Sequence, residues 1–126
     1  MERNFSQRVK DVLGYSREEA ERLQSHYIGP EHLLLGILRD GTGRALDALH
    51  YLGVNSSSLK SAVEEALKEL PEHVSGEELI ISKSTDKVLK MSILESRLLK
   101  SNVTDTEHLL LAILKEKILL QPIFLN

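Results

Sequence analysis

Glu31-His32-Leu33-Leu34-Leu35 returns as Glu107-His108-Leu109-Leu110-Leu111, 76 positions later in a chain of 126 residues. Chance is a poor explanation, because the flanks recur as well. Ile-Leu follows each run after one small residue, and then a basic-acidic pair, Arg39-Asp40 in the first copy and Lys115-Glu116 in the second. Self-similarity at a fixed interval constrains the fold before anything else does, since each copy must be one structural unit and the units bury their apolar faces together.

The same interval holds upstream. Val9, Val12, Leu13, Ser16, Ala20 and Leu23 recur at spacings of three and four, which predicts a helix from Ser6 to about Ser25 with one apolar-to-small stripe. Val88, Leu89, Ser92, Ser96 and Leu99 stand 76 positions after five of these six, and predict a second long helix from Ser82 to about Lys100. Ser6 and Ser82 are placed to cap these helices, each hydroxyl accepting from an orphan backbone amide. Gly14 lies inside the first pattern and costs about 1 kcal/mol against Ala, a local weak point.

Gly29-Pro30 interrupts, and proline at a first helical position gives up only an amide that had no partner, so Pro30 opens a helix over roughly 30–39. Gly41-Thr42-Gly43 ends it. Ala45, Leu46, Ala48, Leu49 and Leu52 predict a third helix, closed by Gly53, and Asn55 or Ser56 caps a fourth with Leu59, Ala62, Val63, Ala66 and Leu67 on one face. Asp105 caps the helix that carries the second Glu-His-Leu-Leu-Leu. The organisation expected is a single all-α, pseudo-twofold duplicated helical repeat: repeat one over 3–70, a connector over 71–80 marked by Pro71, Gly76 and acidic charge, and repeat two over 81–126. Repeat two is incomplete, because only KILLQPIFLN stands where repeat one has GTGRALDALHYLG and a further helix. Pro122 is expected to break any helix there, and the apolar tail needs cover on the body or on a partner.

Composition narrows the function. The absence of cysteine excludes a disulfide framework, a thiolate metal site and a cysteine nucleophile. Aromatics are only 4%, so the core is built from Leu, Ile, Val and Ala. A net charge of −3 without a basic stripe argues against nucleic acid as a partner. No apolar leader and no run of ~18 apolar residues is present, so neither secretion nor a membrane partner is expected, and a cytoplasmic location is. No GxxxxGK[ST] phosphate loop occurs, and GTGRA is too short and lacks the lysine, so ATP hydrolysis by that device is not expected of these residues.

Several residues have two readings. Glu31 and Glu107 sit in the first turns of their helices, where a carboxylate gains about 0.3–1 kcal/mol from the helix dipole alone. His32 and His108 read as packed or capping residues. A small metal-dependent hydrolase using Glu31/His32 and Glu107/His108 is the enzymatic alternative, but no HExxH or other close ligand set accompanies them. No metal or other cofactor is expected, nor is a catalytic residue. Arg17-Glu18-Glu19 and Glu64-Glu65 read as solvated helix faces.

IGPEHLLLGIL followed by RDGTGRALDALHYLGV, with TDTEHLLLAIL in the second half, each behind a long amphipathic helix, resembles the double N-terminal domain of the Clp ATPases, most closely the ClpC type. The resemblance covers residues 3 to about 116. It implies a docking module for client and adaptor proteins, set above an ATP-driven unfolding ring that feeds a peptidase through the full-length protein. In ClpC-like relatives two pseudo-symmetric sites recognise phosphorylated arginine. The residues matching those sites here are Glu31 and Glu107, with the hydroxyls of Ser6 and Ser82 where relatives usually carry Thr. A carboxylate can hold a guanidinium in a bidentate fork, and free amides at a helix start suit a phosphate. Pro30 replaces the usual Thr in the first copy, so the two sites are expected to differ. A free-standing protein of this type, binding clients or adaptors without delivering them, is the alternative.

Overall fold

The structure, a computed structural model, describes residues 4–68 and 79–125, with side chains as far as Glu116. Among these residues the chain is all-α: α1 Gln7–Arg22, α2 Pro30–Asp40, α3 Arg44–Tyr51, α4 Ser56–Leu67, α5 Lys83–Leu98 and α6 Thr106–Leu125. Two isolated parallel bridges, Phe5 with Thr104 and Ile28 with Ile81, are the only extended pairings described. The expected connector falls largely on residues outside the described ones, as do the side chains of the apolar tail.

The duplication is structural down to the caps. Ser6 and Ser82 accept from the amides of Val9 and Thr85, both at 3.1 Å. At the other end, α1 and α5 each finish on a leucine followed by a left-handed residue, Gln24 (φ 53°) and Lys100 (φ 60°). Each time the next amide reaches back to the carbonyl five residues earlier, Ser25 to Ala20 at 2.9 Å and Ser101 to Ser96 at 2.8 Å. This closure satisfies orphan carbonyls well enough to hold a side chain where glycine is usual. Gly14 does not interrupt α1.

α1 packs along α2, and α5 along α6. One core joins the two copies: Val12, Leu33 and Ile37 from the first share a cluster with Val88, Leu109 and Ile113 from the second. α3 contributes Ala45, Leu46 and Leu49 to the same cluster, seated mainly on α6. α4 leans on α2 and is held lightly, because of its expected apolar face only Leu67 is buried, while Ala62 and Ala66 are exposed.

Two expectations are corrected. Pro122 does not break the second copy: α6 runs through it to Leu125. Gly41 (φ 74°) and Gly43 (φ 98°) turn the chain out of α2, but their counterparts are Lys117 and Leu119, so nothing stops the helix at that point. Pro122 falls in the final turn, where it costs one backbone bond. Glu19 is also not on a solvated face. It is buried and bonded to Arg22 at 2.7 Å and Arg39 at 3.3 Å. Burial pushes its carboxyl up, but the Arg22 bond and the charges of Arg22, Arg39 and Lys60 outweigh burial and hold it below the ordinary value. The second copy repeats the device with buried Glu95 bonded to Lys115. Glu64 is likewise tied down, by Arg22 at 2.6 Å.

Candidate docking sites at the crossed helix starts

The two bridges cross the copies. Phe5, just ahead of α1, pairs with Thr104, just ahead of α6. The amide of Ser6 donates to the carbonyl of Thr104 at 2.9 Å, and that of Thr104 to Asn4 at 2.7 Å. The other bridge sets Ile81, ahead of α5, against Ile28, ahead of α2, with Ile28 donating to Ile80 at 2.9 Å and Ser82 to Ile28 at 3.0 Å. Each serine-capped helix start is therefore neighbour to the glutamate-bearing helix start of the other copy. The four candidate residues fall into two groups, Ser6 with Glu107 and Ser82 with Glu31.

In the first group the Ser6 hydroxyl donates to Asp105 Oδ1 at 2.9 Å, and the same carboxylate oxygen accepts from the amide of Thr106 at 2.8 Å. On the next two residues, two oxygens are buried with no hydrogen-bond partner among the described residues, Thr106 Oγ1 and Glu107 Oε1. Glu107 Oε2 lies 3.8 Å from Arg44 Nη1, at the start of α3. A side-chain carbon on Gly43 would stand 2.9 Å from Arg8 Cδ and 3.4 Å from Thr106 Oγ1, so glycine lets α3 start this close. Arg8 is drawn in by Asp40 at 2.8 Å and by the Thr42 hydroxyl.

The second group is built differently. The Ser82 hydroxyl stays in its own helix turn and donates to Thr85 Oγ1 at 3.0 Å, and Thr85 Oγ1 donates to the carbonyl of Ile28 at 2.8 Å. Gly29 stands where the first group has Asp105, and Pro30 where it has Thr106, so this group lacks counterparts of the Asp105 carboxylate and of the Thr106 hydroxyl. The two groups therefore differ in their side chains at Gly29 as well as at Pro30.

His32 and His108 are capping residues. Each Nδ1 accepts from the amide three residues earlier, Gly29 and Asp105, both at 2.9 Å. His32 Nε2 lies 2.8 Å from Ser25 Oγ. With the ring nitrogens of His32 committed in this way, and Nδ1 of His108 likewise, the enzymatic alternative gains no support from the geometry. Sequence reasoning missed Asp105 as the hydroxyl's partner, and missed Thr106 and Arg44 altogether. A repeat interval says which residues are equivalent, not which ones meet.

The Clp repeat (R) N-terminal domain matches residues 4–123. The chain is 36% identical over 112 residues to the "Negative regulator of genetic competence ClpC/MecB" of Bacillus subtilis, and 37% over 112 residues to an "ATP-dependent Clp protease ATP-binding subunit ClpA homolog" of Cyanidium caldarium. Each alignment covers 89% of this chain but only 14% and 13% of the relative, so the chain spans about one-seventh of their length. Among solved structures, the Hsp104 N-terminal domain from Candida albicans aligns with a TM-score of 0.77 at 16% identity, over 94% of this chain and 81% of that one. The N-terminal domain of ClpD from Arabidopsis thaliana aligns at 0.67 and 21%, over 88% and 75%. These two likenesses concern the fold. The family match, which spans residues 4–123, shows that this chain belongs to the Clp repeat N-terminal domain family.

Proposed function

We propose that this chain is a docking module for proteins destined for a Clp-type unfolding ATPase, and that its two crossed helix starts take arginine side chains bearing a phosphate. The observation that carries the reading is the first group. Glu107 Oε1 and Thr106 Oγ1 are buried without hydrogen-bond partners among the described residues, and such groups are costly unless a ligand or water completes them. A carboxylate there suits a guanidinium, which offers paired N–H donors. The start of α6 and the Arg44 guanidinium supply positive potential for the phosphate, countering the adjacent Asp105. Binding by this module would raise the local concentration of a client or adaptor at an ATPase ring carried elsewhere in a full-length protein.

The test is calorimetric titration of the purified chain with free phosphoarginine, alongside Glu31→Ala, Glu107→Ala and the double variant. Saturable binding near two per chain, lost in the double variant, supports the reading, with Glu107→Ala removing the tighter of the two events. Absence of binding to folded wild-type protein removes phosphoarginine as the ligand. Client or adaptor capture then becomes the test of the docking role.

A further inference from the structure

Asp105 meets its partners as a bound anion would. Its Oδ1 accepts from the Ser6 hydroxyl at 2.9 Å, across the join between the copies, and from the amide of Thr106 at 2.8 Å. A hydroxyl and a first-turn amide are the donors that a phosphate at the start of α6 would use. The carboxylate already holds both, and its full negative charge meets only the partial positive charge of the helix start.

The nearby cations leave that charge in place. Arg8 is committed to Asp40 at 2.8 Å and to the Thr42 hydroxyl. The Arg44 side chain is 82% exposed, so water screens it, and its Nη1 stands 3.8 Å from Glu107 Oε2, beyond hydrogen-bond reach. Thr106 is 1% exposed, and its Oγ1, like Glu107 Oε1, is buried without a partner among the described residues. Three successive residues thus present oxygens, two of them in carboxylates. Such a set suits a cation rich in N–H donors, which a guanidinium is.

The second copy shows that the fold does not need this carboxylate. Gly29 stands in its place, and the Ile28–Ile81 bridge forms without it just as the Phe5–Thr104 bridge forms with it. The turn is closed the same way in both copies, by His32 accepting from Gly29 and His108 from Asp105. The serine hydroxyl of the second copy donates instead to a neutral group, Thr85 Oγ1, at 3.0 Å.

We infer that Asp105 is a specificity-determining residue of the first group: its carboxylate stands in for an anion, so the group takes the guanidinium of an arginine side chain and gains little from a phosphate on it. The inference rests on the docking reading above and narrows it. The ligand class of the first group is arginine side chains, unmodified as well as phosphorylated.

The test uses the Glu31→Ala protein, which leaves the first group intact, titrated calorimetrically with arginine and with phosphoarginine, each N-acetylated and amidated. Comparable affinities for the two ligands are expected. Asp105→Asn and Asp105→Gly each place a residue that suits a helix N-cap, and circular dichroism checks their folding. Both should tighten phosphoarginine about tenfold and weaken arginine, as expected when one charge is removed a few ångströms away. Glu107→Ala should remove both ligands. Two results overturn the inference while leaving the docking reading in place. One is a preference for phosphoarginine of about tenfold or more before Asp105 is changed. The other is phosphoarginine affinity indifferent to both Asp105 substitutions. Binding of neither ligand by any folded variant overturns the inference together with the arginine reading.

Discussion

His32 has no exposed surface, and its Nδ1 is the acceptor that closes the first turn of α2. Both facts favour the neutral ring. Burial pushes its pKa below the ordinary histidine value, against the opposing pull of the Glu31 and Glu19 charges. A proton on Nδ1 would also leave the Gly29 amide buried without an acceptor. The unfolded chain therefore takes up a proton on this histidine before the folded chain does. The stability His32 contributes is complete above about pH 6.5 and is lost as pH falls below it. Urea unfolding of wild type and His32→Ala between pH 7.5 and 5.5 tests this. At pH 7.5 the variant is expected to be about 1–3 kcal/mol less stable, from the orphaned amide and the lost packing. The gap should narrow on acidification. A gap that stays constant would mean that the ring does not titrate differently on folding.

Among the elements, α1 and α2 cross at Gly36, and this contact distinguishes the copies. A side-chain carbon at Gly36 would stand 2.6 Å from Ser16 Oγ and 2.7 Å from the carbonyl of Val12, whereas the second copy has Ala112 at the equivalent place. The Ser16 hydroxyl bonds back to Val12 at 2.7 Å, and its oxygen and the Val12 carbonyl are what Gly36 of α2 packs against. Gly36→Val is expected to cost about 1–3 kcal/mol through overpacking, read as a lower urea midpoint at unchanged slope. Ala112→Gly should behave differently, losing only helix propensity and a methyl contact. Much of this layer is legible in the sequence. Leucine and small-residue periodicity marks α1, α2 and α5, and proline, glycine and serine mark their ends. What escapes is whatever depends on a partner far along the chain. Glu19 reads as a surface charge until Arg39, twenty residues away on α2, closes the bond that allows it to be buried. Pro122 reads as a stop, but a helix also needs a turn to leave by, and Lys117-Ile118-Leu119 provides none.

For the whole molecule, the interval of 76 identifies the equivalent residues and so the fold class, but it is silent on how the copies are joined. Side-by-side copies, each closing on itself, would satisfy the same sequence pattern. The structure instead exchanges their edges, through Phe5 with Thr104 and Ile28 with Ile81. The grouping of Ser6 with Glu107, and of Ser82 with Glu31, follows from that exchange. So does the dependence of each copy on the other. Thr85 Oγ1 reaches across to the carbonyl of Ile28 at 2.8 Å, and α3 of the first copy seats on α6 of the second. Removing the second copy would strip Val88, Leu109, Leu110 and Ile113 from one shared core. At ~25 cal/mol per Å² of apolar surface, that exposure outweighs the few kcal/mol by which so small a domain is stable. The full chain is therefore expected to melt in a single cooperative transition, followed by far-ultraviolet circular dichroism. Residues 1–70 alone should show reduced helicity and no cooperative transition. A cooperative melt in that fragment would mean that the first copy is a self-sufficient unit, and that the crossed edges add to its stability rather than make it possible.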